Sequence, residues 1–155
     1  MAQFFAIHPD NPQDRLIKQA ADIVRSGGVI VYPTDSCYAL GCKLGDKNAM
    51  ERILTIRKID QKHHLTLMCA DLSELGTYAK VDNAQFRQLK AATPGSYTFI
   101  LQATKEVPNR TLHPKRKTIG LRVPNNATAL ALLQELGEPI LSCTLMLPED
   151  DEPLT

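Results

Sequence analysis

The sequence predicts an α/β (α+β) domain built on a mixed, largely buried β-sheet with flanking helices, and three observations carry that expectation. Short apolar runs that suit strands are separated by amphipathic stretches that suit helices. Most connections between the runs are too long for tight hairpins. A chain of 155 residues with 43% hydrophobic content fills one core and is short for two.

The organising stretch runs from Val29 to Cys42. Its start, Val29-Ile30-Val31-Tyr32, suits a strand covered on both faces. Pro33 ends the ladder and restricts Tyr32, so the Thr34 hydroxyl and the Asp35 carboxylate emerge at the strand's end, where sheet-based ligand sites form. The plainer alternative is a turn in which Thr34 and Asp35 bond local backbone.

The remaining elements follow in order. Asn11-Pro12 reads as cap and first residue of a helix whose apolar face is Leu16, Ile17, Ala20, Ile23 and Val24, ended by Gly27-Gly28. Asp46 caps a second helix with Ala49, Met50, Ile53 and Leu54 inward, and its last turn carries Thr55, Arg57 and Lys58. Leu65 to Cys69 is a strand, Asp71 to Glu74 has a capping-box arrangement, and Asp82 with Gln85 repeats it. Thr93-Pro94-Gly95 is a turn leading into the strand Tyr97 to Ala103. A polar, basic connection from Lys105 to Lys117 precedes the strand Ile119 to Val123, then a helix capped at Asn125 or Asn126 and stopped at Gly137. Ile140 to Leu147 is the last strand, and the acidic segment from Glu149 is expected to lack regular structure.

Charge and cysteine usage narrow the class. The formal net charge of +1 becomes +5 once Glu149, Asp150, Asp151 and Glu152 are set aside, a mild basic excess that suits a phosphate-bearing ligand. Cys37, Cys42, Cys69 and Cys143 are scattered beside apolar segments without metal-type pairs or a disulfide framework, so reduced thiols and a cytoplasmic protein are expected. No signal-peptide pattern stands at the N-terminus, and no run reaches the roughly 20 apolar residues of a membrane span. No ligand spacing implies a metal, and no Walker loop, dinucleotide fingerprint or nucleophile elbow occurs.

Polar side chains recur at strand and helix ends: Thr34, the loop from Arg57 to His64, Ser96 to Thr98, and Arg122 with Thr144. Arg122, flanked by Leu121 and Val123, is costly to bury without an anion or carboxylate partner, unless strand alternation simply turns it outward. His63 and His64 with Arg57, Lys58 and Lys62 form a cationic loop suited to phosphate or carboxylate oxygens, or merely a solvated one. The cluster Lys115-Arg116-Lys117 suits a nucleic-acid backbone, or water alone.

Together Tyr32-Pro33-Thr34-Asp35-Ser36 to Gly41, Ile56-Arg57, Pro94 to Leu101 and Gly120-Leu121-Arg122-Val123-Pro124 resemble the YrdC/YciO family over nearly the whole chain. Phe4 to Pro9 and Leu65 to Cys69 look closest to its YciO branch. The resemblance implies a YrdC-like fold: a twisted mixed sheet and flanking helices around a cationic cavity. In the threonylcarbamoyl-AMP synthases of the family that cavity binds ATP and threonine. Those enzymes join threonine, bicarbonate and ATP, and the product feeds the t6A modification of tRNA. The family is also associated with double-stranded RNA and tRNA binding.

Carried over by position, Thr34, His63 and Arg122 meet threonine, while Arg57, Thr98 and Thr144 face the nucleotide. No residue is assigned to catalysis. ATP or AMP is the expected ligand, with or without Mg2+, and no tightly bound cofactor is implied. Thr55-Ile56-Arg57 departs from the family's Lys-x-Arg motif and Thr144-Leu145-Met146 from its Ser-x-Asn motif, so catalysis is expected to be weak or altered. The chain divides into a YrdC-like domain, 1–148, shorter than the family's usual domain at its C-terminal end, and an acidic tail, 149–155. An open sheet edge or cavity wall left by that shortening invites a homodimer. Three functions stay open: a synthase-like protein, a non-catalytic RNA- or nucleotide-binding module, and a truncated domain with no function of its own.

Overall fold

The computed structural model describes residues 2–59, 65–108, 111–112 and 115–145. Among these, six strands form one sheet: β1 (Ile30–Pro33), β2 (Tyr38–Lys43), β3 (Thr66–Met68), β4 (Phe99–Gln102), β5 (Thr118–Arg122) and β6 (Ile140–Thr144). Their spatial order is β1-β2-β6-β3-β5-β4. Strands β3 and β5 are parallel and the other neighbouring pairs antiparallel. The sheet is therefore mixed, as the spacing of strand and helix signals implied. Five helices accompany it: α1 (Asp14–Arg25), α2 (Lys47–Arg57), α3 (Leu72–Tyr78), α4 (Asn83–Ala92) and α5 (Ala127–Leu136).

Helix ends follow local chemistry. The side chains of Asp46, Asp71, Asp82 and Asn126 each accept a backbone N–H of the first turn, satisfying donors that a helix start leaves open. Asp82 and Gln85 form the reciprocal capping box. At α3 the box is opened outward, because Glu74 accepts from the Ala70 N–H at 2.9 Å instead of from Asp71. Gly137 ends α5 at φ +71°, a left-handed conformation that suits glycine. The first helix departs from expectation: its cap is Gln13, not Asn11, because Asp10 and Asn11 donate their N–H groups to His8 Nδ1 in a turn of their own.

The organising stretch is a hairpin rather than one strand and a loop. Ile30 pairs with Gly41 and Pro33 with Tyr38, so β1 is an edge strand and Val31 is 55% exposed. The expected burial of both faces fails there, and an edge is where a strand tolerates proline. Glycine occupies position 41 because a Cβ would lie 2.7 Å from both the Tyr32 ring and Ile140 Cγ2.

Strand alternation then separates two cores. On one face α1 and α5 bury Ile17, Ala20, Ala129, Leu132 and Leu133 against Tyr32, Ala39, Met68 and Ile140. On the other, α2, α3 and α4 bring Met50, Ile53, Leu75 and Leu89 against Leu40, Leu67, Leu121 and Leu141.

Candidate functional site

Register places the polar strand residues together. Met68 pairs with both Ile140 and Arg122, and Thr66 with both Ser142 and Gly120. By alternation Thr66, Gly120, Arg122, Ser142 and Thr144 lie on the face that α1 and α5 cover only in part. Thr98, Ile100 and Gln102, on the same face at the β4 side, are exposed. The uncovered part is a cleft open to solvent, with about 290 Å³ of empty volume, lined by Thr34, Cys37, Ala39, Thr66, Met68, Thr98, Arg122, Ser142, Cys143 and Thr144.

Arg122 is the one charged residue in that described lining, and its side chain is only 7% exposed. The carboxylate partner that burial demands is Asp35, whose Oδ1 accepts from Arg122 Nη2. Arg122 Nε donates to the Gly95 carbonyl at 3.1 Å. Nη1 has no partner among the described residues, and since no buried side-chain nitrogen there lacks one, it is a solvent-accessible donor on a residue that lines the cleft. Burial lowers the guanidinium's pKa, yet arginine stays charged wherever the protein is folded.

The β1–β2 turn is built by Thr34. Its hydroxyl donates to the Cys37 carbonyl at 2.5 Å and accepts from the Ser36 and Cys37 N–H groups at 3.2 and 3.1 Å. The plain turn reading thus describes Thr34, while Asp35 bonds across the fold. Its Oδ2 accepts from Asn125 N at 3.1 Å, and Asn126 Nδ2 reaches the Thr34 carbonyl at 3.4 Å. The turn and the loop before α5 are locked together on one rim of the cleft.

The floor carries a buried hydroxyl pair, Tyr32 with Ser142. Burial raises the Tyr32 phenol above its ordinary value, so it stays protonated. Arg57 is not a lining residue. From the α2 side its Nη1 donates to the Thr144 carbonyl at 2.6 Å and contacts Cys143 Sγ at 2.8 Å, bracing the end of β6. Burial raises the Cys143 thiol, and the Arg57 charge opposes that shift.

Thr34, Thr98, Arg122 and Thr144, named from the sequence, therefore meet in one cleft, and Arg57 touches it through β6. His63, His64 and Met146 lie outside the described residues, as does the acidic tail. Sequence reasoning did not single out Cys37, Thr66, Ser142 or Cys143 as lining. A hydroxyl between apolar strand neighbours, as in Leu65-Thr66-Leu67 and Leu141-Ser142-Cys143, was the available signal. No group of three or more His, Cys, Asp or Glu suited to a metal occurs among the described residues, and no helix there is long and apolar enough to cross a membrane.

Fold and cleft define an α/β domain whose described cleft lining sets one arginine among hydroxyls. The chain belongs to the Sua5/YciO/YrdC family, whose model, described as "Telomere recombination", matches residues 22–155. It is 69% identical over 148 residues to the uncharacterised protein YciO of Escherichia coli K12, covering 96% of this chain and 72% of that protein. The crystal structure of E. coli YciO superposes with a TM-score of 0.94 at 68% identity, over 97% of this chain and 73% of that one. A threonylcarbamoyl-AMP synthase of Chromobacterium violaceum is 36% identical over 135 residues, 86% of this chain and 69% of the enzyme. The crystal structure of P. abyssi Sua5 complexed with L-threonine matches at TM-score 0.79 and 27% identity, over 86% of this chain and 39% of that one.

Proposed function

We propose that the cleft is an amino-acid and nucleotide site of the threonylcarbamoyl-AMP synthase kind, serving the t6A modification of tRNA with slow or altered catalysis. One observation carries the reading: Arg122 offers Nη1 to a cleft whose other described lining residues are uncharged, with the hydroxyls of Thr98 and Thr144 around it, while the Thr34 hydroxyl is spent on shaping the turn at its rim. A guanidinium edge takes a carboxylate in a fixed plane, and hydroxyls both accept and donate, so the set suits threonine beside a phosphate. The L-threonine complex of P. abyssi Sua5 supports the same ligand class. In this reading Thr34, Arg122 and His63 meet threonine, Thr98 and Thr144 meet ATP, and Arg57 holds Thr144 in place.

The chemistry joins the threonine nitrogen to the carbon of bicarbonate, breaking a C–O bond and releasing water, and an oxygen of the resulting carbamate then displaces pyrophosphate from the α-phosphorus of ATP. Charge builds on the phosphate as that bond forms. Thr55 is exposed on α2 and uncharged where the family carries lysine, which favours slow turnover and keeps a second reading, a nucleotide- or RNA-binding module without catalysis.

Pyrophosphate release from ATP, with and without threonine and bicarbonate, tests the proposal beside calorimetric titration of each ligand. Slow release that needs both co-substrates is expected. Binding of ATP and threonine without release selects the second reading, and binding of neither contradicts both.

A further inference from the structure

We propose that Asp35 makes the Arg122 subsite selective for a zwitterion, so that a carboxylate with an ammonium group nearby is accepted and a simple anion offering the same carboxylate is disfavoured. The inference rests on the amino-acid reading of the cleft. It concerns a residue that stands behind the cleft wall and acts through Arg122, as a positioning residue.

The charge arrangement carries the argument. Arg122 is the sole charged group in the described lining, and Asp35 is paired to it with side-chain exposures of 7% and 15%. Water screens such a pair poorly. The subsite presents a guanidinium whose charge is already answered by Asp35, and among the described lining residues no net positive charge is left to offer an incoming anion.

Asp35 cannot move aside at little cost. One carboxylate oxygen is held by Arg122 and the other by Asn125 N at 3.1 Å. Arg122 is equally fixed, with Nε on the Gly95 carbonyl at 3.1 Å. A ligand carboxylate on Nη1 therefore shares one guanidinium with a second, immobile carboxylate, and like charges so placed repel. The hydroxyls of Thr34, Thr98 and Ser142 carry no charge to offset that repulsion. An α-ammonium on the ligand supplies the offset, which a deaminated analogue lacks.

The experiment titrates the full chain calorimetrically with L-threonine and with 3-hydroxybutyrate, which keeps the carboxylate and hydroxyl but has no amine. The native chain is expected to prefer threonine by at least about tenfold. Asp35→Asn keeps an acceptor and the side-chain shape while removing the charge. It should lower that preference by about tenfold, chiefly because 3-hydroxybutyrate binds more tightly. Asp35→Glu should restore the preference.

A merely structural role would weaken both ligands alike in Asp35→Asn and leave the preference unchanged, which overturns the proposal. Equal affinity of the native chain for the two ligands overturns it without any variant. If the native chain binds neither ligand, the amino-acid reading of the cleft falls first, and selectivity with it.

Discussion

Arg57 Nη1 lies 2.6 Å from the carbonyl oxygen of Thr144 and 2.8 Å from Cys143 Sγ, so the last turn of α2 grips the end of the strand that carries Ser142 and Thr144 into the cleft. The contact joins the helix layer on one face of the sheet to the cleft on the other. Arg57→Ala should therefore cost about 1–3 kcal/mol of stability, the scale for stranding a partly buried carbonyl. It should also weaken ATP binding by displacing Thr144. Arg57→Lys should recover only part, since an ammonium lacks the planar fork. Urea unfolding with nucleotide titration checks both, and an Arg57→Ala chain of native stability would remove the brace.

Gly120 lies beside Thr66 and Thr98, two residues of the cleft lining. An added Cβ would lie 3.0 Å from both Thr66 Oγ1 and Thr98 Cγ2, and 3.3 Å from the Leu65 carbonyl oxygen. Gly120→Val should destabilise by about 1–3 kcal/mol through overpacking and abolish ligand binding by filling the floor. Thermal melting and calorimetry report the two effects separately. A variant that binds threonine as the native chain does would place the ligand elsewhere.

The Tyr32–Ser142 pair should respond unequally to the loss of either hydroxyl. Ser142 Oγ also lies 3.4 Å from the Ile140 carbonyl, whereas the Tyr32 hydroxyl has Ser142 alone among the described residues. Tyr32→Phe should cost about 0.5–1.5 kcal/mol, and Ser142→Ala, which strands a buried phenol, about 1–3 kcal/mol. Chemical denaturation of both variants tests the order. The reverse order would mean that the phenol finds water or another partner.

Alkaline stability should follow the buried thiols. Burial, with the Asp46 charge adding, pushes the Cys42 thiol from its ordinary 9.0 up to about 12. The folded state then holds a proton that the unfolded chain releases. Its stabilising contribution is full below pH 9 and is lost as pH rises toward 12, at about 1.4 kcal/mol per pH unit. Cys42→Ala should show a shallower alkaline limb in urea midpoints measured against pH, and parallel limbs would contradict the assignment.

Much of the fold was legible because its signals are local. Asp46, Asp71, Asp82 and Gly137 mark helix ends by chemistry completed within a few residues. Strand β2 was missed because Gly41 weakens its pattern, and the reason for that glycine, the packing of Tyr32 and Ile140, is tertiary. The same division holds for the site. The cost of burying a charge showed that Arg122 needs an anion or carboxylate partner, unless alternation turns it outward. The carboxylate it has is Asp35, 87 residues earlier, and no periodicity reports a pairing at that distance. Thr66 and Ser142 join the lining through register with Gly120 and with each other, which a single strand's sequence does not contain.

The central claim is that Arg122 receives the carboxylate of an amino acid in this cleft, and a crystal structure of the chain soaked with L-threonine tests it most directly. The account predicts threonine with its carboxylate about 3 Å from Arg122 Nη1, its amine turned toward the side of the pair where Asp35 stands, and the Asp35–Arg122 contact intact. Threonine bound away from Arg122, or a carboxylate that displaces Asp35 from the guanidinium, would contradict it.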